Sequence, residues 1–169
     1  MLHLIHLEYI QHISKDGKIL WEDKDLYNVL HTDGEEFILR AVFLGGKTSN
    51  TYIPNYYYFG LDNRTTPAIS DTMSDLVSEP FTNGYVRGAI ASTSEFTLST
   101  SSGNKKISSP ILTFQATGGS WGPVKSLFLT DKSDDSGYLI SSVPLSSALT
   151  LNSGESINLR MNLVLKDDS

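Results

Sequence analysis

The chain contains no cysteine, which excludes disulfides, thiolate-ligated zinc, iron–sulfur clusters and thiol nucleophiles together. It also lacks any apolar stretch near the ~20 residues that a helix needs to cross a bilayer, so no membrane partner is expected. The apolar start Met1–Leu7 is interrupted by His3 and His6 and has neither a basic flank nor a small-residue cleavage site, so it does not read as a secretory signal. Positive charge is scarce: thirteen Lys and Arg stand against nineteen Asp and Glu, and Lys105–Lys106 is the only adjacent basic pair. Nucleic acid is therefore not an expected partner, because phosphate binding needs a concentrated cationic surface.

What remains is an ordinary folded composition, with 39% hydrophobic and 19% charged residues over 169 positions. That length can bury a core without covalent staples, and no composition shift marks a boundary, so residues 1–169 read as one domain. The pattern along the chain is mainly β. Ile157, Leu159, Met161, Leu163 and Leu165 alternate with mostly polar neighbours, the period-two signature of a half-buried strand. Asp16–Gly17 reads as a hairpin turn between an apolar first strand and a second one at Ile19–Trp21. Tyr56–Leu61, Tyr85–Ala91, Phe96–Ser99, Pro110–Ala116, Val124–Thr130 and Tyr138–Val143 add further strands, the last expected to stop before Pro144. Ser101–Ser109 reads as an exposed hairpin tip, and Asp131–Gly137 as a turn.

One segment changes period. Thr32 and Glu35 have capping-box spacing, Phe37, Ile38, Ala41, Val42 and Leu44 follow at helical spacing, and Gly45–Gly46 supplies a stop. This predicts one short α-helix near residues 33–44. Asp71–Val77 has room for at most two more turns, with Met73, Leu76 and Val77 turned inward. The whole reads as an antiparallel β-sandwich or jelly-roll-like barrel of about eight or nine strands.

The chemistry-bearing residues are sparse. His3, His6 and His12 share a strand-like segment, where His6 and His12 would stand roughly 20 Å apart at ~3.3 Å per residue and so cannot share a metal. A site at His6 and Glu8 is the residual possibility, weaker than solvated or interfacial histidines. Asp131, Asp134 and Asp135 imitate a calcium loop, but the acidic twelfth position is Ser142. Gly118–Gly122 lacks a phosphate-loop lysine and precedes a strand, so it reads as a corner with Trp121 plugging the core. No nucleophile elbow occurs, and Asp71 with Asp75 or Glu35 with Glu36 are explained as caps and solvated charges. The expectation is a protein without enzymatic activity, cofactor or metal. Tyr52, Tyr56, Tyr57, Tyr58 and Phe59 read first as sandwich core, with an aromatic platform for sugars as the alternative. Asn63–Arg64–Thr65 has the form of a glycosylation acceptor.

Laid end to end, one set of motifs resembles small virion proteins of tailed bacteriophages. It comprises Trp21–Glu22, Asn28–Leu30, Tyr58–Leu61, Asp71–Thr72, Glu79–Pro80, Asn83–Arg87, Trp121–Pro123, Leu127–Thr130, Gly137–Ile140 and Gly154–Ile157, across roughly residues 19–165. The resemblance implies a non-enzymatic head decoration or cement protein that binds the major capsid protein as a homo-oligomer, most simply a trimer. It also implies location in the virion, assembled in the host cytoplasm. A tail, neck or fibre-base component and a carbohydrate-binding sandwich are the alternatives. For the oligomer or lattice contact the candidates are Leu4, Ile5 and Leu7 in the apolar first segment, with Lys105 and Lys106 as second choices.

Overall fold

The computed structural model describes residues 6–44, 53–92, 94–101 and 104–164. Eleven strands follow in chain order: β1 (His6–Ile13), β2 (Ile19–Tyr27), β3 (Val29–Leu30), β4 (Tyr56–Asp62), β5 (Gly88–Ala91), β6 (Thr97–Ser101), β7 (Asn104–Ser108), β8 (Leu112–Gln115), β9 (Trp121–Thr130), β10 (Leu139–Leu151) and β11 (Ser156–Val164). Every pairing is antiparallel. One sheet has the order β2-β1-β11-β7-β6, with β8 pairing the first half of β11, and the other has the order β3-β10-β9-β4-β5. Among the described residues no pairing joins the two sheets, so the sandwich expectation holds and the barrel is not closed.

The core is the interdigitated inner faces. Leu7 and Ile10 of β1, Leu112 and Phe114 of β8, and Ile157, Leu159 and Met161 of β11 pack against Phe59 and Leu61 of β4, Val124, Leu127 and Leu129 of β9, and Val143 and Leu151 of β10. The alternation read in β11 is thus the alternation the sandwich uses. The second half of β9 is buried on both sides, because Leu127 and Leu129 enter this core while Phe128 joins Met73 and Leu139 in a second cluster on the outer face. That outer face is covered by the excursion through residues 63–79, which carries a single short 3₁₀ turn at Met73–Asp75. Met73 is buried there and Leu76 is partly so, but Val77 is exposed, against expectation.

Helix α1 (Thr32–Leu39) continues through a wider π-turn at Arg40–Leu44, matching the expected span, while Gly45–Gly46 lies outside the described residues. The capping box is not formed. His31 is the N-cap, Glu35 N–H donates to its carbonyl at 2.9 Å, and Thr32 is already the first helical residue. Thr32 N–H and hydroxyl both donate to the Ile69 carbonyl, at 2.9 and 3.4 Å, so the excursion supplies what a cap would have supplied. The helix seats on β10 at Gly34, where an added Cβ would stand 2.1 Å from the Ile140 carbonyl oxygen. Gly60 does the same between β4 and β9, since a Cβ there would enter the Phe128 ring at 2.1 Å.

Three other expectations are corrected. Ser101–Ser109 is not a free tip: β7 pairs with both β6 and β11, and Ser108 is buried, its hydroxyl donating to Asn162 Oδ1 at 2.7 Å. Pro144 does not end its strand, because β10 shifts register between Pro144 and Leu149 and the irregularity absorbs the missing donor. Tyr85–Arg87 is not strand but the approach to β5, built on Asn83 and Gly84 with φ of 57° and 79°.

Gly34→Ala tests the helix seat, because propensity and packing oppose each other. Alanine favours a helix interior by ~1 kcal/mol, yet the clash with Ile140 should win, giving a net loss of ~1–3 kcal/mol. Urea denaturation of the variant measures it, and a stabilised G34A would show that α1 does not seat as described.

Candidate functional site

Three regions gather the groups able to do chemistry or to dock. The first is sealed inside the protein. Arg64 leaves the end of β4 and turns onto the outer face, where Nη1 donates to Asp71 Oδ2 at 2.7 Å and Nη2 to Ser142 Oγ at 3.1 Å, with Asp62 Oδ2 at 3.4 Å from Nε. Asp62 is fully buried and its Oδ1 accepts the N–H groups of Val77 and Ser78. Ser142 Oγ and His31 Nε2 are 2.8 Å apart, and His31 Nδ1 is 2.8 Å from the Ala68 carbonyl. A carbonyl only accepts, so Nδ1 carries the proton and Nε2 takes the Ser142 hydroxyl.

This serine–histidine pair has the spacing of a nucleophile and its base, but both residues are completely buried and an Arg64 N–H occupies the serine oxygen. Neither group is open to solvent in this arrangement. Burial pushes the His31 imidazole below its ordinary value, and the nearby Arg64 charge adds to that.

The second region is a cleft beside Arg87. Tyr85 is clamped in place, its ring stacked on Phe114 at 6.2 Å and edge-on to Trp121 at 5.4 Å, while Trp121 Nε1 donates to the carbonyls of Thr82 and Asn83. This confirms Trp121 as the corner that plugs the core. The Tyr85 hydroxyl accepts Leu61 N–H and donates to Glu79, whose carboxylate also receives Arg87 Nε and Nη2. Arg87 lies over the Phe128 ring, 5.1 Å from its centre, and Nη2 reaches Asp135 on the opposite wall. The Asp131–Gly137 turn is a self-bonded polar tip: Asp131 accepts Tyr138 N–H, and Ser136 donates its hydroxyl and N–H to Asp134, holding that carboxyl below its usual range.

The third region is the end of the sandwich where α1 sits. Leu39 at the end of α1 and Val42, Phe43 and Leu44 in the π-turn are 57%, 67%, 70% and 49% exposed. Behind them, Phe37, Ile38, Ile53, Tyr57 and Leu163 belong to the lining of an apolar pocket of about 250 Å³.

The sequence-stated candidates scatter. Leu4 and Ile5 lie outside the described residues. Leu7 is 1% exposed against the opposite Met161, so its side chain is already committed to the core and does not offer a contact surface. Lys105 is exposed on β7, its Nζ donating to Thr100 Oγ1 at 3.1 Å, and Lys106 is half-buried. His12 is neither solvated nor free, being buried with Nε2 at 3.0 Å from Glu155, while Glu8 faces Arg160. Among the described residues no three His, Asp or Glu side chains are placed to hold a metal ion, and no helix is long and apolar enough to cross a membrane. The tyrosine run divides by strand period: Tyr57 packs edge-on against Phe37 and Phe96, whereas Tyr56 and Tyr58 lie on the outer face. Tyr52 is outside the described residues. No protein-family model matches the chain, and no curated protein shows significant similarity to it.

The buried imidazole makes stability pH-dependent with a definite sign. The unfolded histidine titrates near 6.5, and the native one lies lower, so below pH ~6.5 the unfolded chain binds a proton that the native state resists. Stability from this group is complete above that pH and falls as the pH drops, by at most ~1.4 kcal/mol per unit. His31→Gln cannot titrate, so the wild type's advantage over it in chemical denaturation should shrink between pH 7 and pH 5. A gap that stays constant would show that His31 titrates alike in both states.

Proposed function

We propose that the chain is a non-enzymatic structural protein of a tailed-phage particle, which docks on the capsid lattice as a decoration subunit. The observation that carries this reading is the row Leu39, Val42, Phe43 and Leu44, presented outward from a helix fixed to a rigid sandwich. Neighbouring large apolar side chains held in water are unusual on a free-standing domain and mark surfaces that meet a partner. The motifs behind the resemblance support the reading from another side. Glu79, Tyr85, Arg87 and Trp121, which lie in those motifs, are the joints that hold the 79–87 segment on the scaffold.

Docking would act by mass action. A subunit that binds only the mature lattice stabilises it by its binding free energy, and a trimer would multiply weak contacts through effective concentration.

The purified protein should co-sediment with expanded capsids that lack it and raise their rupture temperature. Val42→Asp with Phe43→Glu should abolish both effects while leaving the monomer's melting temperature within a few degrees, since neither side chain is buried. Wild-type protein that neither associates nor shifts rupture would sink the proposal. Recovery with tails in place of heads would move the protein to the tail or neck.

A further inference from the structure

On the outer face of the β4–β9 pair, Tyr58, Phe81, Val86, Arg87, Asp134 and Asp135 line an open cleft of about 470 Å³, within the range of small-ligand sites. One wall is apolar and in water: Phe81 is 89% exposed and Val86 74%. Phe81 adds nothing to the core, so its ring is a free aromatic face at the mouth of a concavity. The other wall is the carboxylate pair of the Asp131–Gly137 turn, with Asp135 itself 73% exposed at the side chain. The floor is fixed, because Tyr85 holds Glu79, Glu79 holds Arg87 and Arg87 holds Asp135 across the cleft.

Charge narrows the ligand. In its lining Glu79, Asp134 and Asp135 stand against Arg87 alone, leaving a net charge of −2. An anion meets the exposed aspartates first. A cation finds Glu79 and Asp135 already paired with Arg87, and Asp134 Oδ1 already accepting the Ser136 hydroxyl and N–H. A neutral polyhydroxylated ring suits what is left: an aromatic face for its C–H side and carboxylate oxygens that accept from its hydroxyls.

We propose that this cleft is a binding site for a neutral carbohydrate, stacked on Phe81 and hydrogen-bonded through Asp134 and Asp135. It is separate from the exposed row on α1, so it stands or falls independently of capsid docking.

An array of neutral oligosaccharides built from glucose, galactose and N-acetylhexosamines, followed by calorimetric titration with the best binder, tests it on the full chain. Wild type should bind, and Phe81→Ala should weaken binding roughly tenfold or more at an unchanged melting temperature. Asp134→Asn, which keeps the shape of the turn, should also weaken it. Absence of binding to every neutral glycan, equal affinity in F81A, or preference for an oligolysine peptide over the glycans would each overturn the proposal.

Discussion

A guanidinium taken out of water has to be matched on every side, and most of the outer half of this protein follows from meeting that requirement at Arg64. Its side chain is 8% exposed, and its partners come from three separate parts of the chain: Asp62 at the end of β4, Asp71 in the excursion and Ser142 on β10. The Asp62–Arg64 pair stands at 3.4 Å with Asp62 Oδ2 and Arg64 Nε lacking hydrogen bonds, so its attraction is purely ionic. Removing any one member of such a cluster is costly, because it strands the remaining charges without solvent. With Arg64 fixed, the excursion has to lie on the sheet, since Asp71 also takes Ala68 N–H and Asp62 takes the N–H groups of Val77 and Ser78. The start of α1 is then set as well, because His31 and Thr32 bond to Ala68 and Ile69 of that same excursion.

The second buried-side arginine works differently. Arg87 shares the face with Arg64 but stands at the edge of the covering, half over Phe128 and half over open space. Its charge is met by Glu79 from below and by Asp135 from across the gap, so it fastens two loops whose spacing defines a cleft. Covering thus goes to completion around Arg64 and stops short around Arg87. Phe128 supports both, packed on Met73 toward the excursion and on the Arg87 guanidinium toward the cleft.

How much of this can be read from the residues alone depends on the range of the interaction. The strands of the second half are legible because period two is local: Ile157, Leu159 and Met161 face the core as their alternation says. The Asp16–Gly17 turn and the helix are legible for the same reason. What fails is whatever a distant segment decides. Thr32 and Glu35 have the spacing of a capping box, but Ile69 reaches the Thr32 donors first. The polar run before Pro110 looks like solvent loop, yet Ser108 and Ser109 are buried because Asn162 and Met161 of β11 satisfy them. Arg64 is hidden within what resembles a glycosylation acceptor, and nothing local says that Ser142, 78 positions away, will close over it. The cleft is illegible for the same reason, since Phe81 and Asp135 meet only through the fold.

Strand β4 serves the two surfaces with alternate side chains. Alternation sends Tyr57 inward, to Phe37, Phe96 and the apolar pocket beneath the exposed row of α1. It sends Tyr58 outward, to the cleft beside Arg87, with Tyr56 following at 6.4 Å between ring centres. Consecutive residues of one strand therefore serve opposite faces of a sheet. A packed interior transmits strain, so the two faces are separate in the side chains that line them and not in their mechanics. The exposed apolar residues of α1 and the cleft beside Arg87 therefore draw on opposite faces of one sheet, each lined by its own residues of β4.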